Sequence, residues 1–406
     1  MSDNLSVMHF FPRIRSEEGG VVKTIIDLCE LLAQAGHRVQ LATCDATDVP
    51  SRWRDSPGNS PQVVELPKSR RLPGFLSHEG LARFREVARE VDAVHLHTPW
   101  EIANVQLASV LKKTHTPYVV SVHGMLDDYC MEQKRLKKRL FLALGGRRLF
   151  RDAALVHYTA EGELEQASKW IPQAAKYCVQ ACAMDLAPYH QLPGTGLALD
   201  SFPYLQSDMK KMLFLSRLHS KKGLEMLLEA AALLRRRQIG FELLIAGPGD
   251  EQYTNRLKSL AKQLDVHEQT HFLGMVRGDL KLSLYQLADV FVLPTYQENF
   301  GLVLPEALAC GTPVVTTRGT DIWPELEQAG AKIVGFSPLE IADAIAALLA
   351  DDAERNRLGD QGRSYVLQWL DPKIVTTGYE RMYRTVQNHG LGTPEDTPLR
   401  NNVHGR

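Results

Sequence analysis

Short apolar runs alternate with longer segments of helical periodicity along most of the chain. In the first half, apolar runs typical of buried strands occur at 7–11, 38–43, 63–66, 93–96, 118–122, 155–158 and 177–180. Between them, apolar positions recur every three or four residues, which predicts helices at 21–35, 79–90, 102–113 and 133–150. Alternation over this length predicts a parallel sheet with helices on both of its faces.

The pattern is interrupted from about residue 185 to residue 210, where proline and glycine break the periodicity: Pro188, Pro193, Gly194, Gly196 and Pro203. It then resumes, with predicted strands at 212–215, 241–246, 270–273, 290–293 and 313–316 and predicted helices at 224–237 and 255–264. We therefore predict an α/β fold of two doubly wound, Rossmann-like domains with a cleft between them. Open sheets of this kind bind ligands outside the carboxyl ends of their strands.

The interruption also sets the expected domain boundaries. We place one domain at 1–195 and a second at 196–370. A helical stretch at 371–388 is expected to pack back on the N-terminal domain, and the polar tail at 389–406 is expected to be disordered.

Composition and charge narrow the classes of function. The chain has 406 residues and 47 Lys plus Arg against 48 Asp plus Glu, so no overall positive field points to nucleic acid. No apolar run approaches the roughly 18 to 20 residues of a membrane-spanning helix, and residues 1–6 do not resemble a secretory signal. We therefore expect a cytoplasmic protein. The six cysteines are scattered and are expected to be buried free thiols, with a metal held by Cys178 and Cys182 as a minor alternative.

Several familiar catalytic motifs are missing from the sequence. It contains no G-x-x-x-x-G-K-[ST] loop, no G-x-G-x-x-G after the first strand, no H-E-x-x-H and no D-x-D pair for a nucleotide-bound metal. These absences argue against a kinase, a dehydrogenase and a zinc hydrolase.

Two turns carry candidate anion-binding residues. Gly19 and Gly20 lie between the first strand and the first helix, where small residues and free helix N–H groups would let a phosphate approach; a tight turn is the alternative. After the strand at 212–215, Arg217 and Lys222 could neutralise a diphosphate between them, and a solvated basic turn is the alternative.

The most specific local signal is a segment with two glutamates eight residues apart, Glu298 and Glu306. Gly301 is expected to open a helix whose first N–H groups are free to meet phosphate. Glu298 could reach a sugar, and Glu306 could accept hydrogen bonds from vicinal ribose hydroxyls. For Glu306 the alternative is an acidic residue that stabilises the first turn of a helix.

These residues resemble the retaining glycosyltransferases of family 4, also called group 1 glycosyltransferases, which have the GT-B architecture of two facing Rossmann-like domains. The resemblance spans nearly the whole chain and depends most on the Glu298-x7-Glu306 motif and on Arg217 with Lys222-Gly223. Further matches are Gly19-Gly20, the run at 36–39, the run from Ser121 to Leu126 around His123, and Ala246-Gly247-Pro248-Gly249-Asp250.

The resemblance implies a role for each matching position. His123 would contact the donor sugar from the N-terminal, acceptor-side domain, and Gly19 and Gly20 would approach the donor phosphates. Arg217 and Lys222 would hold the diphosphate and stabilise it as the leaving group. The remaining donor contacts would come from Glu298 to the transferred sugar, from Glu306 to the ribose, and from Gly247, Asn299, Phe300, Gly301 and Leu302. His95 and His97 are expected near the cleft, with a structural role at least as well supported.

One segment departs from the family pattern. The family has a Pro-Asn-Gly turn where the first domain ends, whereas this chain has Val-Gln-Ala-Cys-Ala-Met-Asp at 179–185. The departure concerns the acceptor contacts and closure of the cleft, and it leaves the donor site unchanged.

We therefore expect a hexosyltransferase that uses a nucleotide diphosphate sugar without a metal or other cofactor. The acceptor would be a glycan, a lipid-linked saccharide or a small molecule, as in polysaccharide or glycoconjugate biosynthesis. Two alternatives remain open: a sugar-nucleotide 2-epimerase and a non-catalytic protein that binds nucleotide sugars.

The segment at 134–151 combines eight basic residues with apolar positions. Such a segment could rest on the anionic inner face of the membrane and meet a lipid-linked acceptor. The alternative is a helix that packs on the core and exposes a solvated basic face.

Overall fold

The computed structural model describes residues 4–55, 60–171, 176–389 and 399–400. The chain divides into two compact units, Met1–Asp185 with Leu370–Arg406 and Leu186–Trp369. Residues 186–195 thus belong to unit 2, whereas the sequence pattern assigned them to the first domain. Hydrogen bonds tie this segment to unit 2: Arg363 donates to the carbonyl of Tyr189 at 2.7 Å, and the amide of Gly194 donates to Gln286 at 2.7 Å.

Unit 1 contains an eight-stranded parallel sheet in the order β14-β7-β6-β5-β4-β1-β2-β3. Its strands are β1 Ser6–Phe10, β2 Arg38–Thr43, β3 Gln62–Glu65, β4 Ala93–His97, β5 Tyr118–Ser121, β6 Leu155–Tyr158, β7 Tyr177–Val179 and β14 Leu399–Arg400. Strands β4, β5 and β6 are buried along their whole length, as expected for a parallel sheet covered on both faces.

The helices of unit 1 cover the two faces of this sheet. They are α1 Gly20–Gln34, α2 Arg52–Asp55, α3 His78–Ala88, α4 Ile102–Thr114, α5 Asp128–Glu132, α6 Arg135–Phe141, α7 Arg147–Arg151, α8 Glu161–Ala167 and, after unit 2, α18 Pro372–His389. Helix α18 places Tyr379, Met382 and Tyr383 in the same apolar cluster as Val7 and Leu28. Its apolar face is therefore part of the core of unit 1.

Unit 2 contains a six-stranded parallel sheet in the order β10-β9-β8-β11-β12-β13. Its strands are β8 Lys211–Leu215, β9 Glu242–Ala246, β10 Thr270–Gly274, β11 Val290–Leu293, β12 Val314–Thr317 and β13 Lys332–Val334. Its helices are α9 Ala187–His190, α10 Gly196–Ser201, α11 Leu224–Arg236, α12 Glu251–Gln263, α13 Gly278–Leu287, α14 Val303–Ala309, α15 Trp323–Gln328, α16 Pro338–Ala350 and α17 Asp352–Trp369. The prediction of two parallel, Rossmann-like sheets is confirmed.

The segment predicted as a single helix at 133–150 is divided. Helix α6 ends at Phe141, a π-helical turn occupies Leu142–Gly146, and α7 follows. The break occurs at Gly145, whose backbone leaves the helical region, and Gly146 packs directly against the ring of Phe141. Two consecutive glycines therefore interrupt a pattern that is otherwise helical.

The C-terminal tail and the lengths of the helices bear on two of the expectations from the sequence. The tail expected to be disordered, 389–406, lies mostly outside the described residues, apart from the end of α18 and the pairing of β14 with β7. Among the described helices, none is both long enough and apolar enough to cross a membrane.

Candidate functional site

In unit 2 the turn after β8 is joined to the segment after β11. The carbonyl of Lys221 accepts the amide of Tyr296 at 2.8 Å and the hydroxyl of Thr295 at 3.0 Å. Gly223 follows with φ 72°, and a Cβ at this position would overlap the carbonyl oxygen of Pro294. Only glycine permits this approach, which holds Lys222 against the segment that carries Glu298.

Lys222 and Glu298 form an ion pair within this junction. The lysine is only 6% exposed. Burial, with the neighbouring cations Lys221 and Arg217 acting in the same direction, lowers the pKa of Lys222 to about 7. The Glu298 carboxylate opposes this effect because it favours the charged ammonium. The structure thus brings together two of the residues that the sequence predicted to act on the donor.

The other predicted cation is open to solvent. Arg217 is exposed and makes no ion pair with any residue in the described ranges. His219 lies between the cations, and burial followed by the charges of Lys221 and Arg217 lowers its pKa. The turn therefore presents an unneutralised guanidinium beside a buried lysine, an arrangement suited to an anion.

The segment that begins at Glu298 is held by a neighbouring loop. The amide of Glu298 donates to Gly319 at 2.7 Å, and the side-chain amide of Asn299 donates to Asp321 at 3.1 Å. Gly301 has φ 60°, and a Cβ there would lie 2.7 Å from Cγ of Glu298. The glycine therefore leaves space for the Glu298 side chain.

The remaining predicted donor residues of unit 2 differ in exposure. Phe300 is buried and stacks on Trp369 with ring centroids 5.4 Å apart, so its side chain belongs to the core. Leu302 is half-buried and immediately precedes α14. Gly247 is buried, lies against the backbone of Ser216 and donates its amide to Gly274 at 2.7 Å.

Glu306 has partners that sequence reasoning did not identify. Lys281 on α13 donates to Oε1 at 2.8 Å, and the hydroxyl of Tyr285, one turn further along, donates to Oε2 at 3.0 Å. Glu306 is 3% exposed, so these contacts compensate for the burial of its charge. Their four-residue spacing predicts that Lys281 and Tyr285 share one face of a helix. No local sequence pattern indicates that this face contacts Glu306.

In unit 1, Gly19 and Gly20 lie at the start of the first helix, as predicted. Gly19 is exposed with φ 84° and is the N-cap of α1, where no side chain caps the helix. Apart from its two neighbours in the chain, no described residue has an atom within 4 Å of the place where its Cβ would be. The first amides of α1 are therefore accessible to an anion.

His123 follows β5 in a tight turn with φ 53°. The next amide, of Gly124, donates to the buried carboxylate of Glu163 at 2.5 Å, and the same carboxylate accepts the amide of Thr159 at 2.5 Å. Nε2 of His123 lies 2.9 Å from Nδ1 of His97, which the sequence had placed near the cleft. Glu163 was missed because it lies 40 residues further along the chain, on α8.

Among the described residues, one group has ligand atoms close enough to hold a metal: His9, His95 and His97. Both ring nitrogens of His95 and both of His97 make hydrogen bonds, and only Nε2 of His9 lacks a partner. The group fits a hydrogen-bonded chain better than a metal centre. Cys178 and Cys182 are buried free thiols, and burial raises the pKa of the Cys178 thiol to about 12.

Two models of glycosyl transferase families match this chain. A model of group 1 glycosyl transferases matches residues 201–365, and a model of the glycosyl transferase 4-like domain matches residues 19–182. A D-inositol 3-phosphate glycosyltransferase of Pseudarthrobacter chlorophenolicus is 28% identical over 374 residues, which cover 84% of this chain and 85% of that protein.

Solved structures agree with the fold. Sucrose-phosphate synthase of Thermosynechococcus elongatus superposes with a TM-score of 0.74 at 21% identity, covering 94% of this chain and 99% of that one. Anabaena HepE, solved in complex with UDP and glucose, superposes with a TM-score of 0.75 at 18% identity, covering 94% of this chain and 100% of that one. At these identities the similarity concerns the fold, which is of the GT-B class.

Proposed function

The chain belongs to the group 1 glycosyltransferases, and we propose that it transfers a hexose from a nucleotide diphosphate sugar to an alcohol acceptor with retention of anomeric configuration. The observation that carries this proposal is the cationic turn of unit 2, where the buried Lys222 is paired with Glu298 and Arg217 is left exposed. The two cations are suited to a diphosphate, and the carboxylate of Glu298 is suited to a sugar hydroxyl.

The proposed chemistry is electrostatic stabilisation of a leaving group. When the anomeric bond breaks, negative charge develops on the departing β-phosphate, and cations already in place stabilise that charge most in the transition state. Arg217 supplies a fixed charge, and Lys222 supplies a charge that phosphate binding favours. Glu298, released from part of its contact with Lys222, accepts hydrogen bonds from the transferred sugar.

The other predicted residues take supporting roles in this proposal. Glu306, oriented by Lys281 and Tyr285, accepts hydrogen bonds from the ribose. The amides at Gly301 and Leu302 meet phosphate, and the backbone at Gly247, at Asn299 and at Phe300 lines the site. In unit 1, Gly19 and Gly20 allow the donor phosphates to approach α1, and His123 contacts the donor sugar.

The central test replaces each cation. Substitution of Arg217 or Lys222 by Ala should lower turnover at saturating donor about a hundredfold to a thousandfold, because a transition-state stabiliser is lost. Lys262→Ala, on the exposed part of α12, is the matched control and should leave turnover unchanged. Near-normal turnover of a folded Lys222→Ala protein would contradict the catalytic role and would leave Lys222 as a structural partner of Glu298.

Donor identity is proposed from the relatives. HepE was solved with UDP-glucose, so UDP-glucose is the first probe in a donor screen by thermal shift. A ligand at 100 times its dissociation constant should stabilise the protein by about 2.7 kcal/mol. Donor incubated alone separates the alternatives, because a transferase hydrolyses it slowly, an epimerase converts it and a binding protein leaves it unchanged.

We propose that the reaction needs no divalent metal, because Arg217 and Lys222 supply the charge for the diphosphate. Turnover should therefore persist in chelator, and loss that Mg²⁺ or Mn²⁺ restores would contradict this. Retention follows from the family motif and is checked by NMR of the product anomer.

Membrane contact is proposed for the segment at 134–151. Leu136, Leu140 and Leu144, four residues apart, are 82%, 58% and 77% exposed, whereas Leu149 and Phe150 are buried. Exposed cations flank the three leucines in the sequence: Lys134, Arg135, Lys137, Arg139, Arg147 and Arg148. An exposed apolar row among cations favours the anionic inner leaflet over a purely solvated face and would bring the enzyme to a lipid-linked acceptor.

Sedimentation with phosphatidylglycerol vesicles at low salt tests this contact. The protein should bind, and binding should weaken as salt rises because surface charges are screened. Serine at Leu136, Leu140 and Leu144 should abolish binding, whereas Leu339→Ser, at a leucine of unit 2 that is 51% exposed, should not. Failure of the wild-type protein to sediment would end the membrane proposal.

A further inference from the structure

Two chains of hydrogen bonds built from buried histidines run through unit 1. The first joins α18 to the end of β7. The hydroxyl of Tyr383 lies 2.8 Å from Nδ1 of His95, Nε2 of His95 lies 2.6 Å from Oγ of Ser121, and that oxygen lies 2.6 Å from Nδ1 of His157. Nε2 of His157 lies 2.9 Å from the carbonyl of Gln180.

The direction of every bond in this first chain is determined. The carbonyl of Gln180 only accepts, so His157 must donate from Nε2 and accept at Nδ1. Ser121 therefore donates to His157 and accepts from His95, and His95 accepts from the hydroxyl of Tyr383. Every donor in this first chain has an acceptor, so both of its ends are satisfied by hydrogen bonds within unit 1.

The second chain contains His9, His97 and His123. Nδ1 of His9 lies 3.0 Å from Nε2 of His97, and Nδ1 of His97 lies 2.9 Å from Nε2 of His123. His9 and His97 are at most 1% exposed, and His123 is 9% exposed. Nε2 of His9, at the inner end, is buried without a partner among the described residues.

The three imidazoles are neutral, so each has one N–H and one acceptor nitrogen. Burial lowers the pKa of His9 and of His123 to about 3, and burial together with the neighbouring imidazoles lowers the pKa of His97. Two arrangements are compatible with the distances. The N–H groups run either outward, all on Nδ1, or inward, all on Nε2.

The inner end decides between the two arrangements. If the protons were on Nε2, His9 would bury an N–H without an acceptor, and orphaned buried N–H groups are rarer than under-used acceptors. If the protons are on Nδ1, His9 buries only an unused lone pair. The outward arrangement is therefore favoured, and it places an N–H on Nδ1 of His123 at the least buried end of the chain.

We propose that His9 and His97 are positioning residues that hold His123 in its Nδ1-protonated tautomer, so that His123 meets the donor sugar as a hydrogen-bond donor. The part that concerns the sugar rests on the proposed function. The tautomer itself is a property of the free protein.

The experiment measures the tautomer directly in the full chain. Long-range ¹H–¹⁵N correlation spectra of protein labelled with ¹⁵N-histidine distinguish a protonated from an unprotonated ring nitrogen, and a His123→Asn variant assigns the signals. The expected result is protonation of Nδ1 alone in His123 without any ligand. Protonation of Nε2, or a mixture of both tautomers, would overturn the proposal. The tautomer is read from the wild-type protein, and the His123→Asn variant serves only to assign the signals.

Two amide variants of His97 test whether the hydrogen bonds from His9 and His97 determine the tautomer of His123. Asparagine places its amide nitrogen near the position of Nδ1 and can still donate to His123, whereas glutamine places its amide near Nε2 and can reach only His9. His97→Asn should keep the tautomer of His123, and His97→Gln should release it to a mixture. Identical spectra for the two variants would contradict the assignment.

His95→Phe is the matched control, because His95 lies on the same strand and is equally buried but belongs to the first chain. Its spectrum should retain the His123 tautomer. With UDP-glucose as donor, His97→Gln should lower kcat/KM about three- to tenfold, the loss of one neutral hydrogen bond, and His97→Asn should restore it. The expected tautomer in a protein without turnover would contradict the proposed function and leave the tautomer assignment, and the roles of His9 and His97 in it, intact.

Discussion

The protonation of Lys222 should couple donor binding to pH. The lysine has a pKa of about 7 in the empty site because it is buried beside Lys221 and Arg217. A diphosphate favours the charged ammonium, so binding takes up a proton wherever the free lysine is neutral. Because the pKa is lowered in the free protein, affinity is greatest well below pH 7 and is lost as pH rises through 7.

The size of the effect follows from the charged fraction. With a pKa of about 7, Lys222 is about nine-tenths charged at pH 6 and about one-tenth charged at pH 8. The apparent dissociation constant is the intrinsic value divided by this fraction, so it should rise about tenfold, or about 1.4 kcal/mol, over this range. His219, whose pKa is also lowered, is neutral over most of it.

Isothermal titration with UDP-glucose measures this dependence, because the diphosphate of a nucleotide sugar does not titrate between pH 6 and pH 8. Lys222→Arg is the control: arginine stays charged throughout, so its affinity should be flat. A flat profile for the wild-type protein would refute the reasoning and would mean that Glu298 keeps Lys222 charged in the empty site.

Two further substitutions probe residues that the structure singles out. Lys281→Met removes the cation from Glu306 and should raise KM for the donor about three- to tenfold with kcat retained, as Glu306→Ala should, because ribose contacts are the same in ground and transition states. A fall in kcat without a change in KM would contradict this role. Gly223→Ala should destabilise unit 2 by at least about 1 to 3 kcal/mol, because a Cβ would overlap Pro294 and the backbone is left-handed there; an unchanged urea midpoint would contradict it.

The fold could be predicted because its signals are local and repeated. Buried parallel strands require continuous apolar runs, and such runs coincide with the observed strands to within about two residues. Strand β13, which is only half-buried, carried a weaker pattern and was not among the predicted strands. The break at Gly145 was missed because apolar spacing continues across it, although two adjacent glycines were visible.

The site could be predicted only where its residues form contiguous motifs. Lys222 and Glu298 were recognised separately, and the sequence contained nothing that would predict their pairing, which depends on the contact between the turns after β8 and β11. Lys281 and Tyr285 lie on α13, a helix that also carries the buried residues Leu282 and Leu284. Their contact with Glu306 arises from tertiary packing, so periodicity could not assign it.

The hydrogen-bond partners of the histidines in unit 1 could not be predicted from the sequence either. His95 and His97 are two positions apart on β4, so alternation places their side chains on one face of the sheet and predicts similar surroundings. Their hydrogen-bond partners nevertheless differ. His95 bonds to Tyr383 and Ser121, whereas His97 bonds to His9 and His123. The difference originates in α18, which supplies the hydroxyl of Tyr383 from almost 300 residues away. A residue's role in a polar core therefore depends on which donor reaches it, and that information lies in the packing of distant elements.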